Sequence, residues 1–265
     1  MATRTKPSKI VSAQTYPSLI DDAEIAFGPA ALFGRFILEV QEQAQQLGVH
    51  LSFASMQTLL EVNQKNPESW LPLISLFDHR FNPLDATNSF CIVGRDRSGE
   101  IVATQAARLY DWSQTNFRAE AESLRLFYAD PAGSKLADER IDVHALAAQA
   151  ITGSVAFTGA AWYRPDYRGK GLLEIMPRFS RVYALARWNV DLAITMMSPT
   201  NVKKGVYPRN GQKNIEWTIA VQNSRMGSHN FSLQWTKRHE NLEDAEDFLT
   251  NQTRLGTTPA QARYA

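Results

Sequence analysis

The chain has 265 residues, 44% of them hydrophobic and 21% charged, enough to bury a full core in one large domain or one domain with an extension. Its 28 Lys and Arg against 27 Asp and Glu leave a net charge of +1, which excludes the broad basic surface of a nucleic-acid-binding protein and confines any anion site to a local cluster. Cys91, the single cysteine, lies between Phe90 and Ile92-Val93; it excludes a disulfide framework and reads as a buried core thiol. No run approaches ~18 consecutive apolar residues. The basic start (Arg4, Lys6, Lys9) lacks the apolar stretch of a signal peptide, so the expectation is a soluble, cytoplasmic chain with no membrane span.

In chain order, residues 1–16 are polar and basic and read as a flexible tail. From Pro29 to Leu47, Leu32, Phe33, Phe36, Ile37 and Val40 recur at helical spacing, and Gly48 supplies a stop. Ser55 caps a second helix carrying Leu59, Leu60 and Val62. Asn66-Pro67 opens a third with Trp70, Ile74 and Phe77 on one face, and Pro72 either kinks it or splits it into two short turns. Residues 17–86 thus read as a helical N-terminal region, closed by a polar connection from His79 to Thr87.

The sheet is expected to begin near residue 89. Ser89–Arg95 and Glu100–Tyr110 are strand-like and joined by Asp96-Arg97-Ser98-Gly99, which has the chemistry of a tight hairpin turn. Asp130–Gln149 leaves loop, short helix and strand open. Ile151–Tyr163 reads as a strand in which Gly153 and Gly159 signal a bulge or a close backbone approach. After it, Leu172, Ile175, Met176, Phe179, Val182, Leu185 and Ala186 mark a helix face interrupted by Pro177, and Asp191–Met197 reads as a buried strand, which makes a βαβ unit. Ile215–Gln222 and Phe231–Trp235 flank the hairpin signal Asn223 to Ser228, and an acidic helix runs from about Leu242 to Leu249. The domain reading is a tail (1–16), the helical region (17–86), a sheet domain (87–240), and a C-terminal helix and tail (241–265).

Between the βαβ strand and its helix stands Pro165-Asp166-Tyr167-Arg168-Gly169-Lys170-Gly171-Leu172. The first turn of a helix leaves N–H groups unpaired and carries a positive end, and glycines there let a phosphate approach the backbone. The helix field supplies only about 0.3–1 kcal/mol, up to ~2 when partly buried, so several N–H bonds plus Arg168 and Lys170 are needed for affinity. Glu174 stands where a dinucleotide fingerprint needs its third glycine, and no Gly-x-x-x-x-Gly-Lys-Ser/Thr is present.

The stretch resembles the acyl-CoA pyrophosphate loop of the GNAT N-acetyltransferase superfamily, with Asp166 where that family usually has Gln or Arg. Asn201, Tyr207 and Gly211 resemble a second set of that family, with Pro208 following the tyrosine. The likeness covers roughly Ser89 to Trp235. It implies a mixed α/β (α+β) fold: a mostly antiparallel twisted sheet flanked by helices, with a helical N-terminal extension. It also implies that the fourth and fifth strands splay to admit the pantetheine of acyl-CoA. On that analogy Ala161, Trp162 and Tyr163 offer backbone contacts, Arg168, Gly169, Lys170, Gly171 and Leu172 bind pyrophosphate, and Asn201 adjoins the donor. Tyr207 would be the general acid for the leaving thiolate. The reaction implied is direct attack of a small-molecule or protein amine on the thioester of acetyl-CoA or another acyl-CoA, in a chain for which a homodimer is a common state.

Glu100, Glu120, Glu122 and His144 are candidates for the base. Trp112, Trp162, Tyr163 and Trp217 are expected to approach the acyl end of the cleft. His50, His79, His229 and His239 show no ligand spacing, so no metal is expected. Two other readings stay open: a long-chain acyl transferase or synthase using acyl-CoA or an acyl carrier protein, and an inactive acyl-CoA-binding module.

Overall fold

The computed structural model describes residues 16–256, with side chains to Asn251. The tail expected at the N-terminus, apart from Tyr16, and the last residues of the C-terminal tail lie outside them. Helices α1 (Leu19–Asp22) and α2 (Ala30–Gln46) lead to strand β1 (His50–Ala54) and helix α3 (Met56–Lys65). The hairpin β2 (Ser89–Arg95) and β3 (Ile101–Trp112) is followed by α4 (Phe117–Glu122), α5 (Pro131–Ser134) and a short strand, β4 (Arg140–Val143). Then come β5 (Gly153–Tyr163), α6 (Leu172–Trp188) and β6 (Leu192–Met197). Two short helices, α7 (Pro199–Lys203) and α8 (Val206–Arg209), precede the hairpin β7 (Asn214–Ser224) and β8 (Gly227–Lys237) and helix α9 (Arg238–Gly256).

The strands form one eight-stranded sheet in the order β1-β2-β3-β5-β6-β8-β7-β4. Among the described residues only β5 and β6 pair in parallel; all other neighbours are antiparallel. This is the mixed, mostly antiparallel sheet flanked by helices that was expected. Each face carries its own apolar core. On one, Phe33, Phe36 and Ile37 of α2 pack with Ile175, Phe179 and Val182 of α6, each buried side chain worth about 1.5–3 kcal/mol. On the other, Leu59 and Leu60 of α3 pack with Phe77, Phe117 and Phe157. Cys91 is fully buried there, and burial pushes its thiol up to about 12.

Two expectations are corrected. The sheet begins at His50, not near residue 89: Leu51 and Phe53 of β1 pair with Gly94 and Ile92. The third helix does not form. Ser55 does cap α3, accepting from the Thr58 N–H at 3.0 Å, but the chain after Asn66 is a loop with one 3₁₀ turn at Ser75–Phe77. Pro72 denies it helical hydrogen bonds, and buried amides replace them. Asn63 Nδ2 donates to Leu71 O (2.8 Å) and Asn63 Oδ1 accepts from Leu73 N (3.0 Å). Asn82 Nδ2 donates to Ser75 O (2.7 Å) and Phe127 O (2.9 Å). Within the region left open, β4 adds to the edge of β7.

Beneath α6 lies a charged core. Arg181 is fully buried; its guanidinium donates to Asp244 Oδ2 (3.0 Å), Asn241 Oδ1 (3.2 Å) and Asn210 O (2.7 Å). Burial pulls it down to about 10, against the pull of Asp244, so it stays charged at neutral pH. Arg178 also pairs with Asp244, at 3.2 Å, and its Nη1 donates to Glu174 O at 2.7 Å. That bond serves the turn in which Pro177, lacking an N–H, leaves the helix short of donors. Removing Asp244 strands a buried guanidinium, a change that costs about 3–5 kcal/mol. Asp244→Ala is therefore expected to lower the unfolding free energy by about that much in urea titration, and an unchanged midpoint would contradict this role.

Candidate active site

The parallel pairing of β5 and β6 covers only Val155↔Leu192, Ala156↔Ala193 and Phe157↔Ile194. Beyond it β5 runs on to Tyr163 beside β3, and β6 to Met197 beside β8, without pairing with each other. The strands expected to diverge do so. At the fork Thr158 Oγ1 donates to Ile194 O at 3.2 Å, a side-chain bond where the ladder ends.

Just past the fork β5 carries a bulge. Ala106 pairs with Gly159 and Thr104 with Trp162, so Gln105 alone faces Ala160 and Ala161. Ala160 adopts φ +51°, in the left-handed region that L side chains rarely occupy, and Thr104 Oγ1 holds its carbonyl at 2.8 Å. Gly159 signalled this bulge in the sequence, one residue early. Beyond it Ala161 is exposed, Trp162 is buried and Tyr163 half-buried. Trp162 stacks on Trp70 (centroids 5.7 Å, 11°) and donates Nε1 to Ser69 Oγ at 3.1 Å. Tyr163 packs against the core under α6, and burial raises its phenol. Trp70 and Ser69 come from the loop read as a helix, which is why sequence reasoning did not find them.

The strand then enters the glycine turn. Gly169 (φ +75°) and Gly171 (φ +100°) both need the left-handed region, and Gly171 caps α6. A side chain at Gly169 would project into open space. Among the described residues, the N–H groups of Gly169, Lys170, Gly171, Leu172 and Leu173 form no hydrogen bond. Lys170 rests its ammonium 4.4 Å from the Tyr167 ring centroid. The Arg168 side chain is tied to backbone: Nε donates to Tyr163 O and Nη2 to Ser69 O, each at 3.0 Å. Asp166 pairs with Arg164 at 2.7 Å, whose hydrogen bonds hold its carboxyl below the usual range, and Arg164 also reaches Asp96 at 3.1 Å. The acidic residue is held mainly by Arg164 and, more weakly, by the charge of Lys170, and neither Lys170 nor Arg168 forms an ion pair among the described residues.

Tyr207 is brought to the same end of α6. Arg209 of α8 pairs with Glu174 at 2.9 Å, and Arg178 Nη1 donates to Arg209 O at 2.8 Å. Gly211 lets the chain lie directly on the charged core, since a Cβ there would sit 2.5 Å from Arg181 Nη2. Tyr207 is half-buried, and burial, then the charge of Glu240, raises its phenol above the usual 10.0. Asn201 is exposed on α7, its N–H bonded to Ser198 O at 3.1 Å.

Two of the four candidate bases, Glu120 and Glu122, are bonded to their own neighbourhood. For Glu120, burial works to raise the carboxyl, but hydrogen bonds from Arg125 (2.7 Å) and Thr115 (2.9 Å) hold it below the usual range. Glu122 accepts from Val143 N at 3.2 Å. Glu100 is exposed in the β2–β3 turn, and His144 is exposed, its backbone N–H donating to Thr218 O. Of the four aromatics expected at the acyl end, only Trp162 and Tyr163 adjoin the fork. Trp112 pairs with Gly153 at the opposite end of β5 and packs on Tyr110 and Phe117, and Trp217 is on β7, beyond β6 and β8. Among the described residues no group of three or more His, Cys, Asp or Glu is placed to hold a metal, and no helix is long and apolar enough to cross a membrane.

No family model matches the chain, and no curated protein does. Solved structures similar to it include a spermidine N-acetyltransferase SpeG mutant from Vibrio cholerae, 10% identical, covering 74% of this chain and 96% of that one at a TM-score of 0.44. An uncharacterized protein from Bacillus halodurans is 12% identical, over 77% of this chain and 91% of the other, with a TM-score of 0.44. AAC(6')-Ib in complex with paromomycin and acetyl-CoA is 15% identical, over 81% and 99%, with a TM-score of 0.39. Likeness this remote leaves the chain's own fork, bulge and turn to carry any assignment of function.

The bulge itself is testable. The left-handed conformation costs an L residue roughly 1–2 kcal/mol, so Ala160→Gly is expected to be neutral or stabilising and Ala160→Val destabilising by more than about 1 kcal/mol. Equal stability of the three proteins in thermal unfolding would contradict the bulge.

Proposed function

We propose that this chain is an acyl-CoA-dependent N-acyltransferase, acetyl-CoA being the favoured donor and an amine the acceptor. The observation that carries this reading is the run of unbonded N–H groups from Gly169 to Leu173, at a cationic turn over the mouth of the forked strands. Consecutive N–H groups at a helix start bind phosphate oxygens, which suits the pyrophosphate of CoA. An open strand edge accepts an extended amide chain as an added strand would, which suits pantetheine along Ala161 to Tyr163.

In this reading the amine attacks the thioester directly. An alkylammonium of pKa about 10.4 gives up its proton before attack, costing roughly 4.6 kcal/mol at pH 7. That proton passes to bulk water; the nitrogen's lone pair then forms the new C–N bond, the C–S bond breaks, the departing thiolate takes a proton from the Tyr207 hydroxyl, and the proton shed by the new amide nitrogen returns through water to the Tyr207 phenolate. A phenol raised by burial keeps that proton through neutral pH. Arg168 acts mainly by fixing the turn to β5 and the Ser69 loop, leaving Lys170 and the backbone as the direct phosphate contacts.

The test is calorimetric titration with CoA, acetyl-CoA and a long-chain acyl-CoA. Micromolar binding is expected, lost at least ~10-fold in Gly169→Glu, whose carboxylate occupies the anion position. A preference for the long chain would move the donor assignment to a longer acyl group, and absence of binding by any of them would overturn the reading. Tyr207→Phe is expected to lower kcat by about 10²–10⁴-fold with donor binding retained. Because the Tyr207 phenol is raised, the fall in rate from its ionisation should appear only above pH 10; a fall near pH 8 would exclude it as the acid.

A further inference from the structure

The floor of the fork is enclosed on both faces of the sheet. β5 and β6 pair for the last time at Phe157↔Ile194. Phe157 belongs to the core on the face that carries α3, and side chains alternate along a strand, so Gly159 faces the same way. The ring of Phe77 lies over it: a Cβ at Gly159 would stand 3.0 Å from Phe77 Cε2 and 3.5 Å from its Cζ. Extending the β5–β6 register sets Met196, which packs on the same core, across the fork from Gly159. On the other face α6 closes over the strands, where Gln105 Nε2 of β3 donates to Ser180 Oγ of α6 at 3.3 Å and both side chains are buried.

Phe77 is a rigid wall. It is fully buried and meets Phe157 edge-on, with centroids 6.1 Å apart, and in a close-packed interior such a ring moves only by displacing its neighbours. It ends a 3₁₀ turn that is bonded from three sides. Asn82 Nδ2 donates to Ser75 O at 2.7 Å, Arg108 Nη1 to Leu76 O at 3.1 Å, and Ser75 Oγ to the Tyr128 hydroxyl at 3.1 Å. This turn belongs to the N-terminal third of the chain, which the acyltransferase resemblance does not cover.

The donor of the proposed reaction runs down onto this floor. With pantetheine along Ala161 to Tyr163, its thiol end leads away from the glycine turn toward Gly159. Two strand residues separate Ala161 from Gly159, at most about 7 Å. That is the reach of the two methylenes, the sulfur and an acetyl group beyond the last pantetheine amide. A longer acyl chain has to enter the volume that the Phe77 ring fills. We propose that Phe77 is a specificity-determining residue that sets the upper length of the acyl group on the donor. The loop between α3 and β2 thereby forms the end wall of the donor site. This rests on the acyl-CoA-dependent reading and deepens it.

The experiment is calorimetric titration of CoA, acetyl-CoA, butyryl-CoA and hexanoyl-CoA into the wild type, Phe77→Leu and Phe77→Ala. In the wild type hexanoyl-CoA should bind at least ~10-fold more weakly than acetyl-CoA, the scale on which an apolar pocket discriminates a methylene. Phe77→Ala opens the floor and should bring hexanoyl-CoA to at least the affinity of acetyl-CoA. Unacylated CoA ends short of Phe77, so its binding should be unchanged in every variant. Phe77→Leu keeps an apolar side chain in the core and so keeps the fold; it should shift the balance toward butyryl-CoA, and it decides the matter should Phe77→Ala fail to fold. Hexanoyl-CoA bound by the wild type as tightly as acetyl-CoA, or wild-type discrimination surviving in the folded variants with CoA binding intact, overturns the inference and leaves the acyl-CoA reading standing. A wild type that binds no CoA removes the reading, and the inference with it.

Discussion

Everything at the candidate site follows from a parallel strand pair that is made and then released. Val155 to Phe157 hold Leu192 to Ile194, and beyond them neither strand finds the other. Each instead keeps its antiparallel neighbour on the outer side, β3 or β8, so the sheet remains intact while its centre opens. Open backbone edges inside a sheet are costly to leave empty. Thr158 satisfies one carbonyl at the fork and Thr104 another at the bulge; the rest of that edge has no strand partner.

The helix that spans the fork is fixed from behind by charge rather than by grease alone. Arg181 and Asp244 are buried together with Asn241 and the Asn210 carbonyl. This assembly joins α6 to α9 and seats the segment that carries α8. A buried ion pair is weak support for stability in itself but strongly specifies one arrangement, because every alternative leaves a charge unpaired. Tyr207 thus takes its position from a network it does not touch. Pro177, which weakens α6 in isolation, sits where Arg178 bridges Glu174 and Arg209, so the proline's turn is also the one that docks α8.

Much of this was legible in the sequence. The strand, glycine turn, helix and strand from residue 151 to 197 carry strong local signals: β-branched and aromatic residues, two glycines that need positive φ, and a long apolar helix face. Ser55 and the Asp96–Gly99 turn were equally plain. What escaped notice depends on partners distant in the chain. β1 is five residues between two helices, too short to show a period, and it is a strand because Cys91 to Arg95 lie beside it. The loop after Asn66 has helical apolar spacing, but Asn63, Asn82 and Pro72 give its backbone other partners. Of the base candidates Glu100, Glu120, Glu122 and His144, the structure binds Glu120 and Glu122 to their own neighbourhood.

The central claim is that the fork and the turn together hold CoA. Hydrogen–deuterium exchange of the backbone, with and without CoA, tests it most directly, because the claim concerns particular N–H groups. The account predicts slowed exchange from Gly169 to Leu173 and at Ala161 to Tyr163, with little change in β1, β2 or β4. Protection confined to other segments, or none at all under saturating CoA, would contradict it.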